Sequence, residues 1–469
     1  MVDLLIRGGT VVTPGGTGTL DVAIEGERIA AVAAPGVLTE ARRVIDATGK
    51  LVVPGGVDPH CHWNLGWRET RSEGQEHSWA AAWGGTTTIV DFAFREGDTS
   101  LHDAVLAKRA EADGAMAVDY GLHALLAGNT SFEVMEEIGD VIRGGIPTIK
   151  TLTTYGWMSD DGHRFGVMSE VAANGGMSIV HAEDDALANW LTAKYVREGR
   201  THGGWICETR GPLVEELGIR RCLLLAERTG SPIYVFHMAA ASGVHALAET
   251  QARGFPAFGE TLIVYLSYTS EKLFDDENRG LLVSNFPTIK SQEDQDELWR
   301  AVADGRLQCV SSDHYGLSAE TRYRYMGTRV ETPQGGQNAV EMRLPVLYSR
   351  GVAEGRLSLE RFVELSSTGP ARLMGLYPRK GAIQPGSDAD LVILDPERRW
   401  TVRAAEHHMG GDYNAWEGWE LRGKVVTTLL RGTPLVEDER WVGSRTGGRY
   451  QPRTLDPAIV GRAGAALGP

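Results

Sequence analysis

The chain has 469 residues, 42% of them hydrophobic and 23% charged, with Lys+Arg 47 against Asp+Glu 62 for a net charge of -15. That length suits a large globular core with a satellite domain, and the acidic balance argues against nucleic-acid or anionic-membrane partners, which depend on basic clusters. The first residues, MVDLLIRGGTVV, lack a basic start followed by an apolar core and a cleavage site, and no run approaches roughly 18 uninterrupted apolar residues. Neither export nor membrane insertion is expected, and the expected location is the cytoplasm. Four cysteines, Cys61, Cys207, Cys222 and Cys309, occur without a C-x-x-C pair, which suits a reducing compartment and argues against a Cys-based zinc site.

In chain order, Asp3 to Thr13, Asp21 to Glu25, Arg28 to Val32 and Arg43 to Asp46 read as short strands between turn residues, a small β meander. From Leu51 to about Arg372, short β-branched runs alternate with Ala-rich and Leu-rich helical patterns. The expected strands are 51–57, 86–91, 118–126, 145–150, 177–182, 232–237, 255–259 and 307–312. Helices at 101–113, 132–143, 185–198, 212–229, 242–253 and 292–304 separate them, as parallel strands require. Eight such units predict an α/β fold, a (β/α)8 TIM barrel. Residues 389–394 and 424–431 return to strand, and their most economical partner is the N-terminal meander, giving a small β-sandwich built from both chain ends. The expected boundaries are 1–55 and 373–443 for the two parts of the sandwich, 56–372 for the barrel and 444–469 for a tail that packs only at its edges or on a neighbouring subunit.

Metal-capable side chains fall at the carboxyl ends of these strands. Strand one runs into His60-Cys61-His62, strand four ends at Lys150, strand five reaches His181, strand six His237 and strand eight Asp313. In a β/α barrel those ends converge on the face where active sites are built, so residues far apart in sequence can meet. His60 and His62 are two apart and on an extended backbone point to the same side, which suits one ion held by two imidazoles. Each histidine alone would more often be a core or surface residue; their joint placement points to chemistry. Lys150 would suffer desolvation as an ammonium in the barrel mouth. It can pair with a carboxylate, or its depressed pKa can free the amine to capture CO2 as a carbamate able to bridge two divalent cations.

Val53-Pro54-Gly55-Gly56-Val57-Asp58 leading into His60-Cys61-His62, Gly84-Gly85-Thr86-Thr87, Lys150 with Tyr155, His181-Ala182-Glu183, His237, Gly259-Glu260-Thr261, Ser312-Asp313-His314 and Gly386-Ser387-Asp388-Ala389-Asp390-Leu391 stand in one chain. As a set they resemble the amidohydrolase superfamily and, within it, the dihydropyrimidinase/D-hydantoinase family, over the chain to about residue 443. The resemblance implies a cytoplasmic hydrolase that opens a cyclic amide ring at two divalent ions, zinc or else manganese. By it, His60, His62 and Asp313 are ligands of one ion, His181 and His237 ligands of the other, and Lys150 the N6-carboxylated bridge. A metal-bridging hydroxide is expected to attack the ring carbonyl, with Asp313 moving the proton and Tyr155 donating to the oxyanion. The implied partner is a small cyclic amide, without nucleic acid or membrane, and the implied assembly a homo-oligomer, tetramer or dimer.

Several features bear on the ring. Dihydroorotases typically carry an arginine two positions after the H-x-H, where this chain has Asn64, which disfavours dihydroorotate; Asn64 instead resembles allantoinases. Tyr155, followed by Trp157-Met158-Ser159-Asp160-Asp161, resembles hydantoinases. The family's Ser-Pro-Pro-Leu-Arg-like segment reads Asn285-Phe286-Pro287-Thr288-Ile289-Lys290 here, and its Asn-Gly loop reads Pro333-Gln334-Gly335-Gly336-Gln337-Asn338. Asn64, Asn285, Phe286 and Gly335 are therefore the expected ring contacts. Trp63, Trp67 and Trp157 either line a pocket for an aromatic substituent or pack a lid or subunit contact. Allantoinase and cyclic-imide hydrolase are the alternative activities. A non-catalytic scaffold of dihydropyrimidinase type is disfavoured by the six intact ligand positions, and a one-metal deaminase by Lys150.

Overall fold

A computed structural model describes residues 1–63, 74–276, 278–332 and 335–460. The chain divides into two compact units, residues 1–90, 112–120 and 339–451 in the first and 91–111, 121–338 and 452–469 in the second.

The first unit carries a nine-stranded sheet that draws on both ends of the chain. Val2–Thr13 turns back through Pro14 and Gly15 onto Gly16–Glu25, with Leu4 opposite Ile24 and Val12 opposite Thr17. Leu51–Pro54 lies parallel to the first strand and antiparallel to Leu391–Thr401, with Val52 opposite Ile393. One face of this sheet supplies a core of Leu4, Ile6, Val22, Ile24, Val52, Leu391, Ile393 and Leu429, as expected where alternate residues point to one side. The meander does find its partner in the C-terminal strands.

Eight strands alternating with helices form the parallel sheet of a (β/α)8 barrel: Gly56–Asp58, Thr86–Arg95, Asp119–Leu126, Thr148–Leu152, Met177–His181, Ile233–Val235, Ala257–Leu262 and Cys309–Ser311, hydrogen-bonded in that chain order. The expected first strand, 51–57, is two strands in different sheets. The break is at Gly55, whose N–H donates to Asp390 O at 2.8 Å while the next N–H, that of Gly56, donates to Gly85 O at 2.9 Å. A Cβ on Gly55 would sit 2.2 Å from the Thr87 hydroxyl, so only glycine lets the chain cross from one sheet to the other. Lys150 is also not a terminal residue of its strand but the middle one of five, since pairing continues through Leu152 opposite His181.

Most helices start and stop where local chemistry dictates. Gln292–Asp304 opens on a capping box between Ser291 and Asp294 and ends at Gly305 in the left-handed region. Pro212–Thr229 has proline in its first turn and Gly230 at its end. The helix Asp161–Ala173 was not expected, because Gly162 and Gly166 weaken its pattern. It is started by Asp160, whose carboxylate accepts from His163 N at 2.8 Å, and a Cβ on Gly166 would lie 3.1 Å from Met135 Sδ, so that glycine allows close packing.

The expectation that the tail packs only at its edges requires correction for residues 448–453. In the first unit Gly448 N donates to Met116 O at 2.8 Å and Gln451 N to Tyr120 O at 2.7 Å. In the second, Arg453 is 1% exposed and its guanidinium donates to the Leu122 carbonyl and, at 2.8 Å, to Thr148 Oγ1. Backbone pairing and one buried guanidinium tie this segment to its own chain, which a composition of Gly, Pro and Arg does not reveal.

Candidate active site

In the first unit, the first barrel strand ends at Asp58 and the chain then presents His60 and His62. Their Nε2 atoms lie 3.2 Å apart. Asp58 Oδ1 accepts from His60 N at 3.3 Å, and Asp58 Oδ2 stands 3.4 Å from the buried Arg343 guanidinium, so the turn that aims the two imidazoles is held from behind. Trp63 is 1% exposed with its ring edge-on to Tyr120, a packing position rather than an open wall. Asn64 and Trp67 lie outside the described residues.

The second unit gathers Lys150, Tyr155, His181, His237 and Asp313. Lys150 Nζ sits 4.2 Å from the Phe92 ring centroid and 4.7 Å from that of Phe236. Burial disfavours its ammonium form and brings its pKa down to about 8, against the pull of the Asp313, Glu260 and Asp91 carboxylates. His181 and His237 have ring centroids 4.5 Å apart, and burial keeps both below the usual histidine range. Neutral imidazoles beside a readily deprotonated amine are donors suited to a divalent cation. Three of these residues hold backbones that side chains rarely adopt: Tyr155 at φ 66, His237 at φ 40 and Asp313 at φ 47. Such positions cost on the order of 1–3 kcal/mol each and cluster where function requires them.

Tyr155 belongs to an ordered polar stack. Its hydroxyl donates to Glu183 Oε2 at 3.3 Å, the same oxygen that faces His181 Nε2 at 3.1 Å and accepts from Arg210 Nη1 at 3.0 Å. The Arg210 guanidinium also lies 4.9 Å from the Tyr155 ring and 5.2 Å from the Phe286 ring. Burial by itself would raise Glu183, but the charge of Arg210 and the bond to His181 outweigh it and hold the carboxyl at about 2. Burial and the Glu183 charge push the Tyr155 phenol well above its ordinary value, so it stays a neutral donor. Glu183 was visible in the sequence only as part of His181-Ala182-Glu183, and Arg210 drew no notice among the chain's many arginines. Its only local sign was its place just before the helix-opening Gly211-Pro212.

Of the expected ring contacts, Phe286 is 8% exposed with its ring 5.1 Å from that of Tyr155, and Gly335 lies close enough that a Cβ would come within 3.2 Å of Phe286. Asn285 turns to Asp313, donating from Nδ2 to Oδ2 at 2.7 Å. Trp157 packs edge-on against Phe94 at 5.3 Å and is half-buried.

The amidohydrolase family model matches residues 51–435. The chain belongs to the amidohydrolase family. It is 36% identical to a D-hydantoinase of Streptomyces coelicolor over 96% of this chain and 97% of that protein. Among solved structures, it matches a dihydropyrimidinase from Brevibacillus agri with TM-score 0.91 and 35% identity, covering 96% of this chain and 98% of that one. A D-hydantoinase from a Bacillus sp. matches with TM-score 0.91 and 37% identity, over 97% and 99% of the two chains. Within the amidohydrolase family the chain therefore falls in the dihydropyrimidinase and D-hydantoinase branch, and membership implies a binuclear metal centre. Among the described residues, no helix is long and apolar enough to cross a membrane.

Proposed function

We propose that this amidohydrolase opens a cyclic amide ring of hydantoin or dihydropyrimidine type, with His60, His62 and Asp313 holding one divalent ion, His181 and His237 the other, and Lys150 bridging them as a carbamate. The names of the relatives support the substrate class, and the donor chemistry supports the centre: the His181 and His237 imidazoles kept neutral by burial, and a buried lysine whose pKa of about 8 leaves about a tenth of the amine neutral at pH 7, far more than an ordinary lysine, to combine with CO2 and release a proton. That depressed lysine is the observation that carries the reading. Zinc is the first choice for nitrogen-rich ligands, with manganese the alternative. When bound, such a pair of ions acidifies a shared water and polarises the ring carbonyl.

The chain's own groups do the rest. Asp313 takes the proton released in the attack and returns it to the ring nitrogen as the amide bond breaks, so that a neutral carbamoyl nitrogen rather than its anion departs. Tyr155 donates to the carbonyl oxygen as charge builds there. Its 3.3 Å bond to Glu183 is at the weak end of the range, so little is lost when the phenol turns to the substrate. Phe286 and Gly335 form a wall beside that oxygen. A homo-oligomer, tetramer or dimer, is supported by Trp190, Leu213, Leu217 and Leu224, which are exposed on the outer helices 185–197 and 212–229. The cytoplasm is supported by the sparse, unpaired spacing of the cysteines in the sequence.

The test is ring opening by metal-replete protein across hydantoin, dihydrouracil, allantoin, phthalimide and 5-aryl hydantoins, with metal analysis on the same sample. Hydantoin or dihydrouracil should be opened by protein holding about two ions per chain; a two-ion protein that opens no ring in the panel sinks the proposal. On the substrate so found, Tyr155→Phe should lower kcat by about 10²–10³ with little change in KM.

A further inference from the structure

Resting on the hydrolase reading above, we propose that Asn285 is a positioning residue for Asp313, a strut between that carboxylate and the 335–336 loop, and not a contact to the ring. Asn285 is 1% exposed. Its Nδ2 donates to Asp313 Oδ2 at 2.7 Å, and its Oδ1 accepts from Gly336 N at 2.6 Å. Chemistry fixes which way the amide faces, because a backbone N–H can only donate and a carboxylate accepts. The bond to Asp313 is short, as expected when the acceptor is charged.

Each end of the strut is rigid. Gly336 has φ 69, and a Cβ there would lie 2.7 Å from Tyr315 Cβ, so the N–H it offers has one direction. The buried Arg322 guanidinium donates to the carbonyls of Gly335 and Gly336 and also to those of Leu281 and Ser284, locking the loop to the segment that leads into Asn285. Asp313 follows the last barrel strand with φ 47, a left-handed backbone that leaves its side chain dependent on outside support. With Oδ2 anchored, rotation about Cβ–Cγ is fixed and the direction of Oδ1 is set. Partners that orient metal ligands in this way typically affect metal affinity or turnover by 10–100-fold when removed.

Asn285→Ala removes both bonds, whereas Asn285→Asp keeps the volume and the bond to Gly336 but sets a carboxylate against Asp313. Both would be compared with wild type for zinc affinity, by competition with a chelator in full-length protein stripped and refilled with zinc, and for kcat and KM on the cyclic amide that wild type opens. The expected result is a zinc dissociation constant raised about tenfold and kcat lowered 10–100-fold in both variants, with KM moved less than about threefold. A KM increase at unchanged kcat and zinc affinity would make Asn285 a ring contact and overturn the proposal, as would two variants indistinguishable from wild type. Full loss in Asn285→Ala with none in Asn285→Asp would also overturn it, because the bond to Gly336 alone would then matter. If wild type opens no ring, the hydrolase reading fails, and the zinc measurement still decides whether Asn285 supports Asp313.

Discussion

Lys150 in the second unit and Lys380 in the first are buried alike, 4% and 1% exposed, yet their surroundings drive them in opposite directions. Lys150 lies between the rings of Phe92 and Phe236, and loss of hydration brings it down to about 8. Lys380 touches three carboxylates, Asp119 at 2.5 Å, Asp390 at 2.7 Å and Asp388 at 2.9 Å. Burial would lower it too, but the charges of Asp390, Asp119 and Asp388 outweigh burial and hold it above the ordinary lysine range. The cluster of Asp119, Asp388 and Asp390 has the donor spacing of a cation site, and the lysine is its cation. A buried lysine is thus reactive or inert according to whether aromatic rings or carboxylates replace its water.

Substitution should separate the two at once. Lys150→Ala removes the group proposed to join the metal ions, and ring opening should fall by at least about four orders of magnitude, roughly 5 kcal/mol of barrier. Metal content should fall with it, and a short carboxylate such as propionate added to the variant should restore part of the activity if an anion is what the site lacks. Unchanged activity would remove Lys150 from the centre and collapse the contrast. Lys380→Ala should leave metal content alone but remove the cation that three buried aspartates share, leaving Asp119 to Arg431 and Asp388 to Arg28 and destabilising the fold by about 3–5 kcal/mol in urea unfolding. A variant as stable as wild type would mean the carboxylates share their charge with Arg431, which donates to Asp119, more fully than with Lys380.

What could be read before folding was whatever repeats or sits at a strand end. Eight short apolar runs foretold the sheet, and His60, His62, His181, His237 and Asp313 stood out because each closes or follows one of those runs. Lys150 was found for a partly mistaken reason: it is central in its strand, and rings reached from other strands, not a terminal position, depress it. Glu183 and Arg210 went unassigned because their bond joins residues 27 apart with the whole helix Asp185–Arg197 between them, where no periodicity operates. Asn285 is expected on the ring because the sequence marks a pocket segment; the bonds of its amide to Asp313 and Gly336 are visible only in the fold. The break at Gly55 and the pairing of 448–451 depend on single backbone hydrogen bonds, which leave no compositional trace.

The contrast has a smaller consequence in the pH dependence of stability. In metal-free, bicarbonate-free protein, Lys150 titrates near 8 when folded and near 10.4 when unfolded. Between these values the unfolded chain binds the extra proton, so folding becomes more favourable as pH rises. Raising pH from 7.5 to 9.5 should add about 2 kcal/mol from this group, at roughly 1.36 kcal/mol per pKa unit. Lys380 has the opposite sign: its folded value lies above the unfolded one, so its contribution is complete below about 10.4 and is lost only as pH climbs through the folded value. Across the 7.5–9.5 window it is therefore silent. Lys150→Met should lose the 2 kcal/mol rise while remaining as stable as wild type at the alkaline end or more so, and the difference between the two urea curves isolates the effect from every other titrating group. If the two proteins show the same pH slope, the amine of Lys150 is not desolvated as its aromatic neighbours require, and the distinction between the two lysines is one of position alone.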